Sequence, residues 1–242
     1  MSGIIRTKYQ LPTFAKLPNI AFDLGKLRDE VRRLEGEWVN LFQANRGLCS
    51  NHEELAENNY HHFDQINLTY YEPTLNTMMD ITELKAECKA IARSDALGNS
   101  KTEKHRNKIR RTDSLPPAMN EHNWYHPLKV YEGSYIQHAI ESQFKAKPIR
   151  VRLTRLKPGS NLTPHIDYGP EYAIRVIVPI QGTDNVTNLF WVRNQIEEYA
   201  MVADGSAYFL NIGHRHAVRH EGSEDRISLM FSLAGQDDIQ DI

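Results

Sequence analysis

The stretch IRVRLTRL, which runs from Ile149 to Leu156, opens a series of short segments rich in β-branched and aromatic residues. Turn-forming residues separate these segments at intervals of about ten residues, which is typical of antiparallel strands. The pattern predicts strands at Ile149–Leu156, Ala173–Ile180, Asn188–Arg193, Glu198–Val202, Ala207–Leu210, His216–His220 and Arg226–Leu233. Short antiparallel strands at this spacing favour a sandwich or a jelly roll.

The residues that precede this stretch follow a helical period instead. One predicted helix has an apolar face whose members recur at steps of three and four residues, namely Leu24, Leu27, Val31 and Leu34. A capping box formed by Asp80 and Glu83 predicts the start of a second helix, and a third helix is expected from Ser134 to Phe144.

These two patterns predict a single α+β domain over residues 1–242. Residues 1–148 are expected to supply mainly helical support and the elements on the substrate side. Residues 149–235 are expected to form the jelly-roll core, where the catalytic residues would lie.

The composition excludes several classes of protein. The 242 residues include 29 Lys and Arg against 31 Asp and Glu, a formal net charge of −2, which excludes a polybasic nucleic-acid coat. The two cysteines, Cys49 and Cys88, have no second cysteine nearby, which favours a reducing compartment. No apolar run approaches the roughly 18 residues of a membrane span. We therefore expect a cytoplasmic protein with neither nucleic acid nor membrane as a partner, and the sequence leaves a homo-oligomer open.

One charge run stands out in the chain, from Lys101 to Arg111, where Glu103 is the single acidic residue. Turn-forming residues flank it, so a surface loop is expected. The alternative is a lid, or a patch that attracts an anionic substrate.

The segment that carries chemistry contains His165 and Asp167. Side chains two residues apart on an extended segment point to the same side, so this imidazole and this carboxylate suit one metal ion. His216 is the predicted third ligand, in competition with His214 and His220. Two histidines and one carboxylate form the facial triad of non-haem Fe(II) oxygenases, which leaves coordination positions open.

Arg226 lies ten residues after His216, across a predicted turn, and is expected on the antiparallel neighbour of that strand. Arg226, Ser228 and Met230 then share one face, which we expect to line the interior. A buried arginine is costly unless an anion meets it, and the guanidinium fork binds a carboxylate in a bidentate manner. In non-haem iron oxygenases the anion is usually 2-oxoglutarate.

The order and spacing of these residues resemble the aspartyl/asparaginyl β-hydroxylase family of Fe(II)/2-oxoglutarate dioxygenases, which includes proline cis-hydroxylases. The resemblance covers about a third of the chain, roughly residues 149–233. The matching positions are Arg152 and Leu153 through Asp167, Arg175 to Ile180, and Asn211, His216, Val218 and Arg226.

Several expectations follow from this resemblance. It implies a double-stranded β-helix, the cupin-like jelly roll, with Fe(II) bound by His165, Asp167 and His216. It implies that Arg226 binds the distal carboxylate of 2-oxoglutarate and that Arg175 helps to hold this cosubstrate. It also implies O2 as cosubstrate and hydroxylation of an amino acid, or of an Asp, Asn or Pro residue in a peptide, with release of succinate and CO2. Ile177 departs from the family, because many relatives have a histidine there.

Some alternatives stay open at the level of the sequence. Arg175 could instead form a structural salt bridge, and Tyr168 and Trp191 are candidates either for the wall of the substrate pocket or for the core. A redox-silent cupin enzyme, an isomerase or hydrolase with Zn²⁺ or Mn²⁺ on the same ligands, is a second function. A non-catalytic jelly-roll protein that binds a sugar or a peptide is a third.

Overall fold

The computed structural model of the protein describes residues 5–40, 63–71 and 120–242. Two α-helices lie in this part of the chain, α1 (Leu24–Arg33) and α2 (Tyr135–Gln143). The strands are β1 (Phe14–Ala21), β2 (Val39–Asn40), β3 (Phe63–Asn67), β4 (Thr69–Tyr71), β5 (Trp124–Pro127), β6 (Pro148–Leu156), β7 (Asn161–His165), β8 (Ile174–Gln181), β9 (Val186–Val192), β10 (Gln195–Tyr199), β11 (Ser206–Leu210), β12 (Arg215–His220) and β13 (Arg226–Leu233). Short 3-10 helices cover Glu35–Glu37, Glu121–Asn123 and Asp237–Ile239.

The strands form two facing antiparallel sheets. The larger sheet has the order β1-β11-β8-β13-β6-β3-β2, and the smaller sheet has the order β10-β9-β12-β7. From β6 to β13 the chain crosses from one sheet to the other at each step, apart from the β9–β10 hairpin. This alternation is the double-stranded β-helix, and the α+β jelly roll predicted from the sequence is confirmed.

The two faces of the larger sheet have opposite characters, because side chains alternate along each strand. One face is apolar and packs against α1 and α2. Phe231 of β13 lies on this face, and its ring meets Phe144 edge to face at 5.1 Å. The other face carries polar side chains and lines a cavity of about 580 Å³ between the sheets. The helices therefore bury the core on the outside of the sheet and leave the inner face for binding.

Each of the two α-helices begins after a capping residue. The Asp23 carboxylate accepts a hydrogen bond from the backbone of Lys26 at the start of α1. Ser134 caps α2 in the same way by accepting from the backbone of Gln137 at 3.2 Å. Both predicted helices in this part of the chain are thus confirmed. The helix predicted from Asp80, both cysteines and the basic segment from Lys101 to Arg111 lie outside the described residues.

The structure differs from the predicted elements in three places. β1, β2 and β3 come from the first 148 residues and extend the larger sheet, so this half supplies strands as well as helices. β7 was not among the predicted strands; it pairs with β12 and carries His165. β10 lies three residues before its predicted position, because the hairpin turns tightly at Arg193, whose φ is +53°. No helix among the described residues is both long enough and apolar enough to cross a membrane.

Candidate metal centre

The three residues predicted to bind a metal lie together at the cavity. His165 of β7 and His216 of β12 are direct partners in an antiparallel pair, with ring centroids 4.3 Å apart. Asp167 follows β7, where its backbone N–H donates to the Ile212 carbonyl at 3.1 Å. One ligand atom from each of the three side chains lies within 4.8 Å of the others. Within the described residues, no other group of His, Cys, Asp or Glu side chains meets the same geometric condition.

Backbone carbonyls orient both imidazoles. His165 Nδ1 lies 2.7 Å from the Thr163 carbonyl, and His216 Nδ1 lies 3.0 Å from the His214 carbonyl. A carbonyl oxygen only accepts, so each Nδ1 carries the proton and each Nε2 keeps its lone pair for a metal. Burial, together with the nearby His165, lowers the pKa of His216 to about 4, so this ring is neutral at pH 7. Neutral imidazole is the form that binds metal.

The two competing histidines are engaged elsewhere. His214 Nε2 lies 3.1 Å from the Lys8 carbonyl, in the segment before β1. His220 Nε2 lies 2.8 Å from the Glu224 carbonyl, inside the turn between β12 and β13. Of the three candidates for the third ligand, the fold therefore brings only His216 to His165 and Asp167.

Arg226 reaches the same cavity by a route that differs from the prediction. It begins β13 and pairs with Leu156 of β6 in the larger sheet, so the prediction that it lies on the strand next to His216 is wrong. The physical reason is the jelly-roll crossing, because the turn after β12 carries the chain to the opposite sheet. Arg226, Ser228 and Met230 all line the cavity, which confirms their shared face.

The Arg226 guanidinium lacks a charged partner among the residues that the structure describes. It is 7% exposed, and its contacts are the Asn188 side-chain oxygen at 3.4 Å and the Met201 sulfur at 3.8 Å. Burial lowers its pKa to about 10, so it stays charged at pH 7. The buried Ser228 hydroxyl, on the same face, also has no hydrogen-bond partner among the described residues. A charged donor and an unpaired hydroxyl on one buried wall are able to bind an anion.

Arg175 is already bound to an acidic residue. Its Nη2 lies 3.2 Å and 3.3 Å from the two carboxylate oxygens of Glu121, and it also donates to the Tyr168 hydroxyl. This is the salt bridge that the sequence left as the alternative, although Arg175 lines the cavity as well. Burial by itself would raise the pKa of Glu121, but Arg150, Arg175 and Arg152 together hold that pKa well below its usual range.

The structure also decides between the alternatives left open for two aromatic residues. Neither Tyr168 nor Trp191 lines the cavity, because the Tyr168 hydroxyl bonds Glu121 and the Trp191 ring lies 5.3 Å from the Arg215 guanidinium. The sequence interpretation missed wall residues on two strands and one 3-10 helix, namely Glu121, Arg150, Arg152, Thr154 and Asn188. A signal for three of them was present in IRVRLTRL, where arginine, arginine and threonine alternate with apolar residues and so share one face.

Comparison with known proteins adds a family match. Residues 133–235 match the family model described as aspartyl/asparaginyl beta-hydroxylase, a span from the start of α2 to the end of β13. Comparison with curated protein sequences gives no match.

Several solved structures resemble parts of the chain. An oxidoreductase of the 2OG-Fe(II) oxygenase family from Burkholderia pseudomallei is 15% identical, with 92% of this chain and 85% of that chain covered and a TM-score of 0.45. A cupin domain from Bordetella pertussis is 16% identical, with 38% of this chain and 86% of that chain covered and a TM-score of 0.28. The fold assignment rests on the strand order and not on these scores. Residues 133–235, which contain His165, Asp167, His216, Arg175 and Arg226, thus match the aspartyl/asparaginyl β-hydroxylase family, and the resemblance predicted from the sequence is confirmed over this span.

Proposed function

We propose that the protein is an Fe(II)- and 2-oxoglutarate-dependent oxygenase that hydroxylates an unactivated carbon of an amino acid, or of an Asp, Asn or Pro residue in a peptide. In this reaction 2-oxoglutarate, O2 and a C–H bond give succinate, CO2 and a C–OH group. One observation carries the proposal: a two-histidine, one-carboxylate group and an unpaired buried arginine line the same cavity. The family match over residues 133–235 supports the hydroxylase class.

The donor set fits Fe(II). His165, Asp167 and His216 would hold the metal through two imidazole nitrogens and one carboxylate oxygen, which is the ligand set of non-haem iron oxygenases. His165 and Asp167 are partly exposed, with 43% and 39% of their side-chain surfaces accessible, so the group faces the open side of the cavity. Bound iron would supply the activation of O2.

The opposite wall fits a dicarboxylate. Arg226 would bind the distal carboxylate of 2-oxoglutarate, and the unpaired Ser228 hydroxyl would donate a further hydrogen bond to it. The 1-carboxylate and the 2-keto oxygen would then be directed to the metal. Binding one end of the molecule to a fixed cation restricts its orientation, which is the main contribution a protein makes to cofactor chemistry.

Apolar side chains separate these two polar walls. Ile177, Phe190, Leu210 and Ile212 line the cavity and pack in one buried cluster. Ile177 stands where many relatives have a histidine, so at this position the chain presents a hydrocarbon surface and not a hydrogen-bond donor. Such a lining excludes water from the space where a C–H bond would react.

The test is 2-oxoglutarate binding and succinate release after anaerobic reconstitution with Fe(II), followed by exposure to air. His165→Ala should abolish succinate release, and Arg226→Met should weaken 2-oxoglutarate binding by at least about 30-fold, because a buried charged partner is lost. Arg219→Met is the matched control, since Arg219 lies on β12 but pairs outside the cavity with Glu198 at 3.2 Å.

Wild-type protein that binds metal but not 2-oxoglutarate would contradict the proposal and favour the redox-silent enzyme. Wild-type protein that binds neither would favour the non-catalytic jelly roll.

A further inference from the structure

A second buried arginine on the cavity wall has no acidic partner among the residues that the structure describes. Arg152 of β6 is 7% exposed and lies opposite Met230 of β13. Its Nη2 contacts the Met230 sulfur at 3.0 Å, and its Nε has no hydrogen-bond partner in the described part of the chain. Thioether sulfur is a weak acceptor, so this contact compensates little of the charge of Arg152.

The nearby acid, Glu121, cannot neutralise this charge as well. One of its oxygens accepts from Arg150 and Arg175, and the other accepts from Arg175, Tyr168 and Ser232. A carboxylate offers about four lone-pair sites, and these contacts use them all. Arg152 is therefore outside the hydrogen-bonded network of Glu121, and that carboxylate attracts it only at longer range.

An additional anion bound next to Arg152 would stabilise its buried charge. Burial, followed by the repulsion of Arg150 and Arg175, lowers the pKa of Arg152 well below its usual value, although the attraction of the Glu121 carboxylate opposes this shift. A buried cation with like charges beside it raises the free energy of the folded protein unless a ligand of opposite charge binds. Within the described residues, two cations of the wall form no ion pair, Arg152 and Arg226.

In the proposed reaction one 2-oxoglutarate molecule does not bind both arginines, because its second carboxylate goes to the metal. Arg226 of β13 lies opposite Leu156 of β6. Arg152 lies four residues before Leu156 on β6, so the backbones of the two arginines are about 13 Å apart at the usual rise per residue. Arg152 and Leu156 are an even number of residues apart and therefore share one side of β6, and both arginine side chains line the cavity. In the proposed reaction one carboxylate of 2-oxoglutarate is bound by Arg226 and the other by the metal. Arg152 is left for a different molecule.

We propose that Arg152 is the substrate-recognition residue, which binds a carboxylate of the substrate, and that the enzyme therefore acts on carboxylate-bearing molecules and rejects their neutral counterparts. This inference rests on the proposed function, which assigns Arg226 to 2-oxoglutarate. The carboxylate has two sources, the α-carboxylate of a free amino acid or the side chain of an acidic residue in a peptide. The experiment separates them.

The experiment uses calorimetry to measure how tightly each probe molecule binds to the protein. The protein is first loaded with Mn²⁺ and saturating 2-oxoglutarate, and this complex does not turn over. One set of probes consists of three free amino acids, namely L-proline, L-leucine and L-asparagine. Each is compared with its carboxamide, the neutral counterpart of the carboxylate. The other comprises acetyl-Gly-Asp-Gly-amide and acetyl-Gly-Glu-Gly-amide, with their Asn and Gln counterparts. In at least one pair the carboxylate should bind at least about tenfold more tightly than the neutral analogue. The set in which this pair occurs identifies the source.

Arg152→Met should remove this discrimination, so that both members of the pair bind equally weakly, and Arg152→Lys should recover part of it. A variant that retains the discrimination, or a wild-type protein that prefers no carboxylate in either set, would overturn the inference. The affinity for 2-oxoglutarate should stay within about threefold of wild type in Arg152→Met, since the proposed function assigns that molecule to Arg226. Loss of 2-oxoglutarate binding by the wild-type protein would instead contradict the proposed function.

The melting temperature of Arg152→Met gives a second measurement that does not depend on any ligand. Replacing an unpaired buried charge with an apolar side chain of similar length is expected to leave stability unchanged or to raise it. If Arg152 had a structural role, the same substitution would lower the stability of the protein. A clear fall in melting temperature relative to wild type would therefore count against a binding role.

Discussion

Glu121 is the residue on which the charge balance of the cavity wall depends. Its side chain is 4% exposed and forms ion pairs with Arg150 and Arg175. Tyr168 and Ser232 complete its hydrogen bonds. This carboxylate therefore pairs with two of the four arginines on the wall, and the other two are Arg152 and Arg226, to which we assign ligands in the proposals above.

Replacement of Glu121 by glutamine should lower the free energy of unfolding by about 3 kcal/mol at neutral pH, because two cations lose a buried partner. The pKa of Glu121 is lower in the folded protein than in the unfolded chain, where it is near the ordinary value of 4.5. The stabilisation is therefore present above about pH 4.5 and is lost as the pH falls below it, by about 1.4 kcal/mol per pH unit.

Urea denaturation of wild type and Glu121→Gln, at about pH 7 and about pH 3.5, checks this expectation. Glu37→Gln is the control, since Glu37 is exposed and should change stability by less than about 0.5 kcal/mol. A difference between wild type and Glu121→Gln that stays constant over this pH range would contradict the assignment.

At the level of elements, the turn after β8 positions the start of β13. Gly182 has a φ of +63°, and a Cβ added there would lie 2.6 Å from the Asp225 carbonyl carbon and 2.9 Å from the Arg226 backbone nitrogen. The two backbones therefore pack directly against each other. This contact sets where Arg226 enters the cavity.

Gly182→Ala should both destabilise the protein and weaken 2-oxoglutarate binding, because the backbone of Arg226 must move. Gly133→Ala is the matched control: its φ is +69°, but an added Cβ meets nothing within 4 Å. We expect the control to lose about 1–2 kcal/mol of stability from the backbone conformation alone, with unchanged 2-oxoglutarate affinity. Denaturation and calorimetry on both variants check this, and equal effects on binding would refute the role of the turn.

At the level of the whole molecule, one glutamine joins segments that are distant in the sequence. Gln236 accepts from the backbone N–H of Arg6 at 2.8 Å, and its Nε2 donates to the carbonyls of Arg6 at 2.7 Å and Pro170 at 2.9 Å. Pro170 lies three residues after Asp167. The segment around Arg6 also reaches the metal side, since Lys8 Nζ donates to the Gly213 carbonyl at 2.7 Å.

Gln236→Ala should lower the free energy of unfolding by about 2–3 kcal/mol, because buried backbone groups lose their partners. It should also weaken Mn²⁺ binding, since the loop that carries Asp167 loses an anchor. Gln195→Ala, on exposed β10, should change both quantities little. Chemical denaturation and metal titration measure the two effects. Full retention of metal affinity in the destabilised variant would show that Asp167 is positioned independently.

The sequence determined by itself those features that depend on residue spacing. Turn signals and β-branched runs predicted most of the strands after Ile149, and the helical period predicted α1 and α2, because these patterns reflect local burial. The His165–Asp167 pair and the shared face of Arg226 and Ser228 also follow from spacing alone, since side chains in an extended segment alternate with a period of two.

Only the tertiary structure decided what each of these residues meets. Sequence spacing suggested that Arg226 lies beside His216, but the chain crosses between sheets and brings them face to face across the cavity. Glu121 is distant in sequence from Arg175, and their ion pair could not be read from the spacing of residues. Arg152 has no such partner in the described part of the chain, although in the sequence it stands between apolar residues just as Arg150 does. The physical reason is that charge compensation depends on distance in space, and a strand pattern specifies the direction of a side chain but not its neighbours in the facing layer.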